Sequence, residues 1–262
     1  MQTLLSHTVQ GKGKPVLLLH GFCESQAIWN GFIPALSEQY TVITVDLGGF
    51  GESTALLPKQ PTIEALAEQV YRLVDKLRIK RLSVVAHSLG GYVALALAEA
   101  HPKRLKGLCL FHSTALPDTP EKQSIRNNVI EFVQKNGVEP FIQNFVSPLF
   151  YSQRHHELES EINFVKNIAL KTPKETIITI TQAMRDRKDR THVLASANYP
   201  IGFVIGKQDQ AVLYETYLSQ IGLAKHTWVQ ILDDTAHMGM LERPKETLQF
   251  VQNFLAYCTQ KS

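Results

Sequence analysis

Along the chain, nearly continuous apolar runs alternate with stretches in which apolar residues recur every three or four positions. The runs are Val16–His20, Tyr40–Asp46, Leu82–Ala86, Gly107–Phe111, Ile201–Ile205 and Thr227–Leu232. Apolar at almost every position, they predict strands buried on both faces of a parallel sheet. Thr62–Leu77, Leu89–Ala100, Val212–Ile221 and Lys245–Tyr257 carry the helical spacing. This alternation implies right-handed crossovers and a doubly wound, mostly parallel α/β sheet. A strand around Leu4–Val9 is expected to pair antiparallel at one edge.

Between about Leu116 and Asn198 the rhythm breaks. Valine-rich runs give way to helical spacing in Ser124–Lys135, Pro140–Phe150, Glu157–Leu170 and Lys174–Met184. The pattern predicts a helical cap, 116–198, inserted into a core made of 1–115 and 199–262. Pro117 and Pro120 mark one boundary and Pro200 the other.

Composition narrows the class. At 262 residues, 44% hydrophobic and 19% charged, the chain can bury a sizeable core and is not expected to be disordered. The formal charge of +3 is spread along the chain, and the dense run Arg185–Arg190 carries its own acids. That run is expected to be a solvated helix face, which argues against a nucleic-acid partner. Cys23, Cys109 and Cys258 are widely spaced and odd in number, which argues for a reducing compartment rather than a disulfide framework. No basic-then-apolar leader is visible, and no apolar run approaches the roughly 20 residues that span a bilayer. The expectation is a soluble cytoplasmic protein with no membrane partner.

The chemistry concentrates at residues 84–98, VVAHSLGGYVALALA. A strand that turns abruptly into a helix leaves one side chain exposed above the C-terminal sheet edge, where open α/β folds bind ligands. Such a turn needs small residues two before and two after its apex; here they are Ala86 and Gly90, and Gly91 lets the helix approach the sheet. Ser88 is the apex, placed for nucleophilic attack beside the free N–H groups of a helix start. The bland role for Ser88 is a helix N-cap.

Partners follow in the order serine, acid, histidine. Asp209 comes just after the run Ile201–Ile205, and His237 lies in the loop after Thr227–Leu232. His237 would act as general base, with Asp209 orienting its ring. The bland roles are a helix cap for Asp209 near Val212 and a surface position for any of the ten histidines. Asp233 and Asp234 fit a turn. The strand ending at Phe111 is followed by His112-Ser113, with no acid.

With these residues in place, the chain resembles the α/β-hydrolase family over nearly its whole length. His20-Gly21-Phe22 resembles the family's oxyanion loop, and Asp46-Leu47-Gly48-Gly49-Phe50-Gly51-Glu52-Ser53 its D-x-x-G-x-G-x-S turn. Gly206-Lys207-Gln208-Asp209 and His237-Met238-Gly239-Met240-Leu241-Glu242-Arg243-Pro244 also match. The resemblance implies an oxyanion hole from the backbone N–H groups of Phe22 and Leu89, each such donor typically worth about 3 kcal/mol in the transition state. It leaves His20 and His87 as braces, Cys23 as a small wall residue, and Asp46 and Ser53 as turn holders.

Serine at the apex suits acyl chemistry. The expected activity is hydrolysis of a small or medium carboxylic ester. Alternatives are carbon–carbon hydrolysis of a diketone-type metabolite and a ligand-sensing protein with slow turnover; a perhydrolase is less favoured because Leu89 follows Ser88. No cofactor or metal is implied, since the glycines at 48, 49 and 51 lack nucleotide-binding spacing. Phe141, Ile142, Phe145, Val146, Leu149, Phe150 and Tyr151 are candidates for an apolar pocket, most of them for packing alone. No arginine is assigned to a substrate carboxylate, and the oligomeric state is not specified.

Overall fold

The structure, a computed structural model, describes residues 4–260. A seven-stranded sheet runs through its centre in the order β1-β3-β2-β4-β5-β6-β7. The strands are β1 (His7–Gln10), β2 (Lys14–Leu19), β3 (Tyr40–Val45), β4 (Leu82–His87), β5 (Leu105–Phe111), β6 (Ile201–Gly206) and β7 (Thr227–Leu232). β1 pairs antiparallel with β3 and all other pairs are parallel. The expected doubly wound α/β sheet is therefore present, with β1 starting three residues later than the run Leu4–Val9.

Helices cover both faces. Before β5 come α1 (Ile33–Ser37), α2 (Ile63–Lys76) and α3 (Leu89–Ala100). Helix α2 is capped by Thr62, whose hydroxyl accepts from Ala65 N at 3.0 Å, and it buries Ile63, Leu66, Val70 and Leu73 on one stripe. Helix α3 is buried from Leu89 to Ala98 because it lies between α2 and the strands β4 and β5. Alanine and glycine fit that crowded place.

Residues 112–200 contain no strand and five helices: α4 (Pro120–Asn136), α5 (Val138–Phe145), α6 (Glu159–Ala169), α7 (Lys174–Arg185) and α8 (Thr191–Ala195). After β6 follow α9 (Tyr214–Leu218), α10 (Gly239–Glu242) and α11 (Pro244–Gln260). None of the described helices is long and apolar enough to cross a membrane.

Three expectations are corrected. β7 is an edge strand, paired only with β6 among the described strands, and Val229 and Ile231 on it are more than one-third exposed. The helix expected over Val212–Ile221 shrinks to Tyr214–Leu218, since the backbone at 211–212 is held in a turn by Asp209. The run Arg185–Arg190 is not a solvated helix face. Helix α7 ends at Arg185, and Arg187 and Arg190 turn inward. Arg187 Nη1 meets the buried Asp118 at 2.5 Å, while Arg190 reaches Glu64 (2.7 Å) and Glu99 (3.1 Å) on α2 and α3. The acids interleaved in the run mask this inward use.

Arg190 is 2% exposed, whereas the side chains of Glu64 and Glu99 are 43% and 37% exposed and regain water when it is removed. Its lost volume should therefore dominate. Arg190→Ala is expected to cost about 2–3 kcal/mol in urea denaturation, with Arg190→Met recovering most of it.

Candidate active site

The turn at the end of β4 carries Ser88 with φ at +49°, a left-handed conformation rare outside glycine. Three hydrogen bonds hold it there: Ser88 N donates to Phe111 O (3.0 Å), Ser113 Oγ to Ser88 O (2.7 Å) and Gly91 N to Ser88 O (2.9 Å). A Cβ on Gly90 would sit 2.7 Å from His20 O and 2.9 Å from Leu19 O, so glycine alone allows α3 to start this close to β2. The Ser88 hydroxyl does not cap α3 and has no hydrogen-bond partner among the described residues. The bland role for Ser88 is thereby set aside.

Asp209 and His237 follow β6 and β7 and meet directly. His237 Nδ1 lies 2.7 Å from Asp209 Oδ2, and both residues are buried. The other oxygen, Oδ1, accepts from Ala211 N (2.8 Å) and Val212 N (2.9 Å), so the turn-shaping role and the histidine contact occupy different oxygens. Burial pushes this carboxyl up. The charges and hydrogen bonds of His237 and His112 outweigh that and hold it well below the ordinary carboxylate range. An ionised Asp209 fixes the His237 proton on Nδ1 and leaves Nε2 as a base. Asp233 and Asp234 pair instead with Lys207 and Arg243.

The sequence pattern does not mark His112 as a site residue, yet its Nδ1 lies 3.5 Å from Asp209 Oδ2. Its Nε2 accepts from Gly239 N at 3.2 Å, which places its proton on Nδ1, facing the carboxylate. Burial lowers its pKa to about 4, so the ring is neutral near pH 7. His112, Asp209 and His237 hold their donor atoms within 4.8 Å of one another, as a metal site would. Two ring N–H groups aimed at Asp209 Oδ2 occupy that space with protons, and a cation would have to displace both.

Behind Ser88 lies a second buried pair. His87 Nε2 is 2.9 Å from the carbonyl oxygen of His237, which can only accept, and Nδ1 is 3.0 Å from Glu24 Oε2. Glu24 Oε2 also accepts from Gly21 N at 2.6 Å. For both groups burial opposes the charged form, but their mutual attraction outweighs it: the His87 pKa is raised and the Glu24 pKa lowered. An imidazolium bonded to a carboxylate thus ties together the loop of Gly21, the Ser88 turn and the His237 loop. His20, by contrast, is lowered by burial, accepts from Leu47 N (2.9 Å) and donates to Gly21 O (2.8 Å).

Glu242 performs a similar service. Its Oε1 accepts from Ala236 N (3.0 Å) and Met238 N (3.1 Å), the amides on either side of His237. The amide of His237 itself donates to Leu149 O at 2.9 Å, a contact from residues 112–200. The sequence offered Glu242 as part of a matching pattern, without this role.

Ser88, His237 and Phe22 border one cavity of about 50 Å³, walled by Phe145, Leu149, Met184 and Val212. The N–H of Phe22 has no acceptor among the described residues, and that of Leu89 belongs to the first turn of α3, where no intrahelical acceptor exists. Of the candidate pocket residues, Phe145 and Leu149 reach the cavity; Phe141, Ile142, Val146 and Phe150 are buried away from it, and Tyr151 is half-buried and does not border it. Cys23 is also corrected: it does not border the cavity, is fully buried at φ +57°, and burial pushes its thiol pKa well up. A groove of about 570 Å³ near Arg81, Lys103 and His192 adjoins the opposite strand ends and contains none of these groups. Chemistry, rather than size, locates the site.

The fold and this arrangement define an α/β hydrolase, and the chain belongs to that family: the family model of the alpha/beta hydrolase fold matches residues 14–244. It is similar to a pimeloyl-[acyl-carrier protein] methyl ester esterase of Pseudoalteromonas atlantica, 25% identical over 261 residues, covering 95% of this chain and 96% of that protein. It is 28% identical over 246 residues, 93% of its length, to the dihydrolipoyllysine-residue acetyltransferase component of an acetoin cleaving system of Pseudomonas putida, of which the match spans 64%. Among solved structures, a thermophilic esterase from Thermogutta terrifontis superposes with a TM-score of 0.90 at 28% identity, over 97% of this chain and 93% of that one.

The pair Glu24–His87 gives a pH-dependent prediction. A raised His87 pKa contributes stability that is complete below the unfolded value of 6.5 and fades as pH rises through the folded value. A lowered Glu24 pKa contributes stability that is complete above 4.5 and fades as pH falls through the folded value. Glu24→Gln is therefore expected to cost about 3 kcal/mol between those two pH values. The deficit should narrow above them, read from denaturation midpoints across pH. A deficit independent of pH would show that the pair is not ionised.

Proposed function

We propose that this chain is a serine hydrolase that cleaves a small carboxylic ester through an acyl-enzyme, with residues 116–198 as its cap. The observation that carries the reading is the 2.7 Å contact of His237 Nδ1 with Asp209, beside a cavity shared by His237 and Ser88. Ser88 Oγ attacks the ester carbonyl carbon while His237 Nε2 takes the hydroxyl proton. The oxyanion accepts hydrogen bonds from Phe22 N and Leu89 N. Collapse expels the alcohol, which receives its proton from His237, and leaves the acyl group on Ser88. Water, deprotonated by the same nitrogen, then releases the acid and restores the serine. The reaction as written consumes only ester and water.

The small, mostly apolar cavity supports a short acyl group. Its size also fits a small-molecule partner. The three cysteines are buried and form no disulfide among the described residues, in keeping with the cytoplasm.

Ser88→Ala is expected to lower ester hydrolysis by about 10⁴-fold or more, with folding unchanged by circular dichroism. A fluorophosphonate probe should label Ser88 in the wild-type protein and leave Cys23 unmodified. Undiminished turnover in the variant removes the nucleophile and with it the mechanism. Stoichiometric acylation without further turnover would mark the ligand-sensing alternative.

A further inference from the structure

The wall of the cavity includes an arginine. Arg126, on α4, borders the same space as Ser88 and His237. Its Nε lies 3.1 Å from Asp118 Oδ2, and its two terminal nitrogens have no partner among the described residues. Asp118 is fully buried and shared, since its other oxygen receives Arg187 Nη1 at 2.5 Å. Arg187 is spent: it also donates to Leu116 O (3.1 Å) and Met184 O (2.8 Å), and its guanidinium stacks 4.2 Å over the Tyr92 ring. Two guanidinium charges therefore share one carboxylate, leaving one positive charge uncompensated.

That surplus is presented by Arg126. Glu24 also borders the cavity, but Oε2 already accepts from Gly21 N and His87. Lys122, one turn back on α4, is held by Ala211 O at 2.5 Å. A guanidinium edge with free parallel N–H groups against an apolar wall is the shape and charge that a carboxylate matches in a two-point contact. An arginine that only clamped Asp118 would have no need to face the cavity.

We propose that Arg126 determines specificity by binding a carboxylate on the substrate, so that the preferred substrates are esters carrying a second, ionised carboxyl group, such as half-esters of short dicarboxylic acids. The proposal rests on Ser88 hydrolysis as set out above. It is tested with monomethyl succinate, glutarate and adipate against methyl 4-methylpentanoate, the neutral isostere of the first.

The wild-type protein should favour at least one half-ester over the neutral ester by about tenfold or more in kcat/KM, mainly through KM. Arg126→Gln should collapse that ratio towards one, and Arg126→Lys should keep part of it. A merely structural arginine would lower both esters alike and leave the ratio standing, which overturns the proposal. Should Arg126→Gln not fold, the wild-type ratio decides alone, and a value near one for all three half-esters is fatal. Absence of Ser88-dependent turnover on every ester would instead defeat the underlying hydrolase reading.

Discussion

Two carboxylates, Glu24 and Asp209, are buried at the C-terminal edge of one sheet, and the organisation of the site follows from how each is compensated. An isolated carboxylate in such surroundings would take up a proton. Both are kept ionised, by different means. Glu24 faces an imidazolium and one amide, while Asp209 faces two amides and the Nδ1 edges of two histidines. Because His87 carries a full charge, it can donate from both nitrogens and so reach across to the carbonyl of His237. The charge that would be costly alone becomes the link between three loops.

The same bookkeeping separates the histidines. His20 and His112 each accept one amide proton, and the other ring nitrogen donates to Gly21 O in His20 and only faces Asp209 Oδ2 at 3.5 Å in His112, so both serve as neutral spacers with lowered pKa. His87 is charged because both of its partners are acceptors. His237 has an acceptor on Nδ1 only, and the residue borders the cavity. Identical side chains within one cluster thus take three forms, set by whether the two ring nitrogens meet two acceptors, an acceptor and an amide donor, or an acceptor alone.

Much of this was legible in the chain itself. Buried parallel strands leave a continuous apolar trace, and strand-end loops fall at known places in that trace, so Ser88, Asp209 and His237 stand out by position. The family motifs around them added the fold. What escaped was long-range pairing. Glu24 and His87 are 63 residues apart, Asp118 and Arg187 are 69 apart, and His112 meets Asp209 across β6. No local period records such contacts. The run Arg185–Arg190 misled for a related reason: its internal acids imitate a self-neutralised surface, while its inward arginines answer acids elsewhere on α2, α3 and the linker before α4. The shortened helix at Tyr214–Leu218 reflects a local competition that Asp209 wins by drawing two amides into its own turn.

Residues 112–200 do more than roof the cavity. Leu149 O accepts from the amide of His237, and Glu242, which holds both neighbouring amides, also accepts from Tyr151 N at 3.0 Å. The loop that carries His237 is therefore anchored on one side to the sheet, through His87, and on the other to residues 149–151. A displacement of the 149–151 segment would strip His237 of its own amide contact and Glu242 of one of three donors, while leaving Asp209 and His87 in place. Ring orientation would survive through Asp209, but the backbone supporting it would loosen. The backbone on either side of His237 is in this way held jointly by the sheet and by residues 149–151, so a change at that segment reaches the histidine through hydrogen bonds rather than through the cavity.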